Sequence, residues 1–108
     1  MTDHSDIVSV AVTFPRLDAA AAPELRKQLE GGPHEGHGRV LLDLSAVEFI
    51  DSTGLGVLVS LLKQMAPGGR IAVVGAGPAP RKLFQITRLD TLFILCSDDD
   101  EARSALAA

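Results

Sequence analysis

The sequence predicts a single α/β domain, in which about four helices pack against a mixed, largely parallel β-sheet. Three observations lead there. The apolar pattern switches repeatedly between strand-like alternation and helix-like spacing, turn or capping residues mark the switches, and 108 residues with 46% hydrophobic content suit one compact core.

The first strand is read from the alternation of Ile7, Val8, Val10, Val12 and Phe14 with Ser9, Ala11 and Thr13, and Pro15 ends it. Residues 19–29 are rich in helix formers, and Pro23 is comfortable only in a first turn, so a helix starts near Ala21 or Ala22 and buries Leu25 and Leu29. Residues 31–38 form a glycine-rich loop by composition. The run Arg39-Val40-Leu41-Leu42-Asp43-Leu44 is short, apolar and bounded, as in a strand within a parallel sheet. From Ser52 to Ala66 the helical signal is strongest, with Leu55, Leu58, Val59, Leu61, Leu62, Met65 and Ala66 on one broad arc. Ser52, Thr53, Gly56, Ser60, Lys63 and Gln64 fall on the opposite side. Pro67-Gly68-Gly69 stops the helix, and residues 70–74 read as a third strand. Gly75-Ala76-Gly77-Pro78 leads into a helix over 79–87 with Leu83, Phe84 and Ile86 inward, and a short strand follows at 92–95. Ser97 is expected to cap a last helix over 98–107, whose Asp98, Asp99, Asp100 and Glu101 complement the helix dipole.

Composition excludes several functions. A net charge of -4, with four Phe and no Tyr or Trp, gives neither the basic patch nor the stacking platform of a nucleic-acid binder. The polar, acidic start Met1-Thr2-Asp3-His4-Ser5-Asp6 lacks the character of a secretory signal, and no apolar run spans a bilayer, so a cytoplasmic protein without direct membrane insertion is expected. The single cysteine, Cys96, excludes an intramolecular disulfide and reads as a small core residue.

The segment that stands out is Asp51-Ser52-Thr53-Gly54-Leu55-Gly56, which follows the apolar Val47, Phe49 and Ile50 and opens the best helix. A cap needs one oxygen-bearing side chain, from Asp51 or Ser52. Here three such residues precede or share the first turn with two glycines, each costing up to about 1 kcal/mol relative to alanine. Exposed hydroxyls beside bare backbone at a helix N-terminus suit anion binding or acceptance of a phosphoryl group.

The chain resembles the STAS-domain anti-sigma factor antagonists (anti-anti-sigma factors) over nearly its whole length. The resemblance rests on the Asp51 to Gly56 segment, supported by Leu17-Asp18, Pro23-Glu24-Leu25, Asp43 after Val40 to Leu44, Gly68-Gly69-Arg70 and Arg81-Lys82-Leu83-Phe84. It implies that Ser52 is the phosphoacceptor, with Thr53 the second choice. It also implies that Asp51, Ser52, Thr53, Gly54, Gly56, Ser60 and Lys63 face an anti-sigma factor serine kinase. In such partner switching the unphosphorylated antagonist binds the anti-sigma factor and frees a sigma factor, phosphorylation ends the interaction, and a phosphatase resets it. The alternative within the same resemblance is a STAS-type accessory subunit of a membrane transport complex, or a small-ligand-binding module. Several positions depart from the family pattern. The extra N-terminal strand would have to come from Met1 to Asp6, Phe14-Pro15-Arg16 replaces a glycine turn, Ala21 stands where a hydroxyl often caps the first helix, and Arg88 replaces a glycine after Thr87.

Other chemistries fit less well. Gly75-Ala76-Gly77 lacks the third glycine of a dinucleotide fingerprint, so no cofactor is expected. His34 and His37 lie in a glycine-rich loop without clustered cysteines, and no metal site is expected. Ser52 has no nucleophile-elbow pattern and no histidine outside loops or the tail, so the chain is not expected to be an enzyme. Arg81 and Lys82 begin a helix, where the dipole disfavours them, and read as a solvated face ahead of an acidic-partner contact.

Overall fold

The computed structural model describes residues 7–29, 38–65 and 68–107. The chain runs β1 (Val8–Ala11), β2 (Arg16–Leu17), α1 (Ala22–Leu29), β3 (Arg39–Asp43), β4 (Phe49–Ile50), α2 (Ser52–Lys63), β5 (Arg70–Val74), α3 (Pro78–Ile86), a 3-10 turn (Leu89–Thr91), β6 (Phe93–Leu95) and α4 (Asp99–Ala107). The main sheet has the order β1-β3-β5-β6, and β2 and β4 form a separate two-stranded ribbon; every pairing among the described residues is parallel. Parallel neighbours require crossovers, which α1, α2 and α3 supply.

Strand alternation divides the apolar residues between two layers. Val40, Leu42, Ile71 and Val73 face the larger core with Leu25, Leu29, Leu55, Leu58, Leu61 and Phe84. Leu41, Ala72 and Val74 point the other way, onto Ala102 and Leu106 of α4 and the buried Cys96. Phe84 and Phe93 meet edge to face at 5.3 Å, joining α3 to β6. Arg70 reaches from β5 to the end of α4, donating to the carbonyls of Ala105 at 3.2 Å and Leu106 at 2.8 Å, where a cation complements the helix dipole.

Several expectations change for identifiable reasons. The first strand stops at Ala11, although Val12 still donates to Asp43 O at 3.0 Å. Helix α2 ends at Lys63 rather than Ala66, and Val57 is buried because α1 packs beside it. Ile86 is not inward: it is 68% exposed, since it lies two residues from the buried Phe84 and so on the opposite side of α3. Leu92 closes the 3-10 turn instead of opening β6. Asp98, not Ser97, caps α4: its Oδ1 accepts from Glu101 N–H at 2.8 Å, while the Glu101 carboxylate accepts from Ser97 N–H. The oxygen absent from Ala21 is supplied by Asp18, whose Oδ1 accepts from Ala21 N–H at 3.1 Å. The Met1 to Asp6 segment, His34 and His37 in their loop, and Ala66-Pro67 lie outside the described residues.

Arg88 follows the C-cap of α3 with φ 62°, the left-handed conformation in which a Cβ is unfavourable. Arg88→Gly is therefore expected to stabilise the fold by about 1 kcal/mol, measured as a raised urea midpoint at unchanged slope.

The Asp18 carboxyl is held below its ordinary value of 3.8, first by the Ala21 N–H and then, against desolvation, by Arg16. A depressed carboxylate stabilises the fold fully above its unfolded pKa and loses that effect as pH falls through the folded one. Asp18→Ala should accordingly destabilise at pH 7, with the gap to the parent narrowing below about pH 3.5 in urea titrations across pH.

Candidate functional site

Helix α2 starts where β4 ends, and the route from β3 through α2 to β5 places its N-terminus at the C-terminal end of the main sheet. Its position is fixed by backbone contacts to β2. Leu17 pairs with Ile50, and Leu17 O accepts from Asp51 N–H at 3.0 Å. Asp51 is the N-cap, with extended backbone, and its Oδ1 accepts from Gly54 N–H at 3.0 Å while its carbonyl accepts from Leu55 N–H at 2.9 Å. With Asp51 as the cap, Ser52 becomes the first helical residue.

The two glycines of this turn have different causes. Gly54 is buried, and a Cβ there would lie 2.1 Å from Leu17 O and 2.6 Å from its carbonyl carbon. It is glycine because α2 presses on the β2 backbone, so it is not part of the surface expected to face a partner. Gly56 is exposed, and a Cβ there would meet nothing within 4 Å. Packing among the described residues gives no reason for this second helix-interior glycine.

The remaining expected contacts sort by burial. Ser52, Thr53 and Lys63 are exposed, Asp51 and Ser60 half-buried. The Ser52 hydroxyl makes no hydrogen bond among the described residues, whereas the Ser60 hydroxyl is turned back onto its own helix, donating to Val57 O at 2.6 Å. Below Ser60, a cleft of about 230 Å³ separates α2 from α1, lined by Arg26, Leu29, Val57, Ser60, Leu61 and Gln64. The exposed stripe thus runs from Ser52 and Thr53 over Gly56 towards Ser60.

One pair beside this stripe was missed in the sequence. Arg16 and Phe49 are register partners on the outer face of the β2–β4 ribbon, with the Arg16 guanidinium carbon 4.5 Å from the ring centroid. Period-two alternation, with Leu17 and Ile50 inward, places their neighbours outward, but two-residue strands are too short to be read from pattern.

Other candidate residues have structural explanations. Gly75 has φ 75° and lies against Ser45, where a Cβ would approach Ser45 Cβ to 2.7 Å. Ser45 is in turn tied to Asp43, its hydroxyl donating to Oδ1 at 2.6 Å. Burial pushes the Cys96 thiol up, which keeps it protonated within the core. Arg81 is half-buried and Lys82 exposed. Among the described residues no helix is long and apolar enough to cross a membrane.

A family model described as the STAS domain matches residues 1–102. The chain belongs to the STAS domain family. It is 34% identical over 90 residues to the anti-sigma-B factor antagonist of Staphylococcus epidermidis, a match covering 82% of each chain. A Thermotoga neapolitana protein, provisionally described as an anti-sigma factor antagonist homologue, is 37% identical over 70 residues; that match covers 64% of this chain and 62% of the other. Among solved structures, an anti-sigma factor antagonist from Mycobacterium paratuberculosis superposes with a TM-score of 0.83 at 31% identity, covering 99% of this chain and 91% of that one. The STAS fold accounts for the four helices and parallel sheet described above.

Alanine substitutions at the two glycines should therefore act with opposite sign. Gly54→Ala is expected to destabilise by about 1–3 kcal/mol or more through overpacking against Leu17. Gly56→Ala is expected to stabilise by about 0.5–1 kcal/mol through helix propensity. Parallel thermal and urea unfolding of the two variants checks both.

Proposed function

We propose that this protein is an anti-sigma factor antagonist. In its unphosphorylated form it docks the exposed face of α2 on an anti-sigma factor serine kinase and so releases a sigma factor. Phosphorylation at Ser52, with Thr53 as the neighbouring acceptor, ends the interaction, and a phosphatase restores it. The protein acts in the cytoplasm as a binding partner and substrate rather than as an enzyme.

The observation that carries this reading is Ser52 itself, an exposed first-turn hydroxyl that makes no hydrogen bond among the described residues, on a helix already capped by Asp51. No cap needs this hydroxyl. Gly56, one turn along with open space above it, leaves helix backbone accessible to an approaching surface. The antagonist descriptions of the relatives at 34% identity and of the Mycobacterium structure support the same role.

Electrostatics supplies the switch. A phosphate adds about -1.5 to -2 charge and considerable bulk to a surface built from small residues. At the first turn of α2 this charge is favoured by the helix dipole, so the helix persists. Asp51 adds a like charge beside it, and a partner surface shaped to the bare hydroxyl meets steric and electrostatic opposition. Docking is lost while the fold is retained.

With the host's purified anti-sigma factor, Ser52→Ala should bind within a few-fold of the parent, and Ser52→Asp should bind about tenfold or more weakly. The melting temperatures of the two should agree within about 4 °C. Equal affinities for the two variants would sink the switch. Incubation with that kinase and ATP should place phosphate on Ser52 by mass mapping, and its absence from both Ser52 and Thr53 would remove phosphorylation from the account.

A further inference from the structure

Phe49 is a large apolar side chain, 38% exposed, three residues before Ser52. The Arg16 guanidinium lies over its ring at 4.5 Å, and Arg16 Nε contacts Asp18 Oδ2 at 3.4 Å. Stacking and ion pairing together hold the guanidinium plane, although the Arg16 side chain is 63% exposed. Part of the rotamer entropy that an arginine loses on binding is thus already given up.

The charge of Arg16 is only partly answered. At 3.4 Å the contact with Asp18 is longer than the usual ~2.7–2.9 Å of a charge-assisted hydrogen bond. The other Asp18 oxygen accepts from Ala21 N–H. The two terminal nitrogens of Arg16 form no hydrogen bond among the described residues, so a planar fork of donors faces outward. The charged residues nearest it in sequence and register, Asp18, Glu48 and Asp51, are all acidic, so Arg16 places a positive charge among them on the ribbon whose β4 strand leads into Ser52.

We propose that Arg16, stacked on Phe49, is a specificity-determining contact that receives a carboxylate of the docking anti-sigma factor while the Phe49 ring is covered by the same surface. The proposal rests on the docking reading above and adds the chemistry of one contact point. A partner carrying a carboxylate there gains a bidentate pair, whereas one carrying a cation is repelled. Aromatic and arginine side chains at the centre of interfaces are where affinity concentrates.

The test measures affinity by calorimetry between the host's purified anti-sigma factor and the parent protein, Arg16→Glu, Arg16→Lys, Phe49→Ala and Ser52→Asp. Both positions are exposed, and circular dichroism checks that each variant folds. Arg16→Glu is expected to weaken binding about tenfold or more, with Arg16→Lys and Phe49→Ala between it and the parent. An Asp→Lys and Glu→Lys scan of the partner is expected to yield a variant that restores Arg16→Glu and binds the parent poorly. If Arg16→Glu stays within about twofold of the parent while Ser52→Asp abolishes binding, the proposal is overturned and the docking reading stands. Weakening that no partner substitution restores also overturns the carboxylate contact. If neither Arg16→Glu nor Ser52→Asp weakens binding, the docking reading fails and the proposal with it.

Discussion

The close approach of α2 to the backbone of Leu17 is the constraint on which the site depends. Gly54 leaves no room for a Cβ, Asp51 N–H is bonded to Leu17 O, and Ile50 pairs with Leu17 in the short ribbon. These contacts set the axial position and rotation of the first turn. Once Gly54 and Leu55 face inward, helical geometry requires Ser52, Thr53 and Gly56 to face solvent. The buried half of the motif therefore presents the exposed half.

This division also explains how a charge at Ser52 can alter binding without unfolding the domain. The helix is anchored in the main core by Leu55, Leu58 and Leu61, all buried, while Ser52 is exposed. The Asp51 carboxylate is already engaged with Gly54 N–H, so capping does not compete for Ser52. A phosphate at the first helical position adds to a favourable dipole interaction while changing the surface that a partner meets. Folding and recognition thus draw on different faces of the same helix.

Much of this arrangement was legible in the sequence, and the exceptions have a common origin. The strand over 70–74, the helix beginning at Ser52 and the inward Leu25 and Leu29 follow from periodicity and turn residues alone. What pattern could not show were contacts between segments distant in sequence. Gly54 and Gly56 look alike in the chain, yet one is required by Leu17 and the other by no contact among the described residues. The apolar character of Ile86 predicts an inward position, but Phe84 two residues earlier occupies the buried side. The Arg16–Phe49 stack joins residues 33 positions apart through two-residue strands, below the length at which alternation is readable. Asp18 took over the cap position because the turn through Ala19-Ala20-Ala21 brings its carboxylate back to the start of α1.

On the proposed reading, Ser52 lies on a docking surface which negative charge closes while α2 remains intact. Its most direct test is a backbone amide NMR spectrum of protein stoichiometrically phosphorylated at Ser52, recorded alone and with the anti-sigma factor, beside the unmodified form. Under the proposed switch, helical chemical shifts are expected throughout α2 in both forms, with partner-induced changes along Ser52, Thr53 and Gly56 only in the unmodified protein. Equal partner-induced changes in both forms, or loss of helical shifts in α2 on phosphorylation, would contradict it.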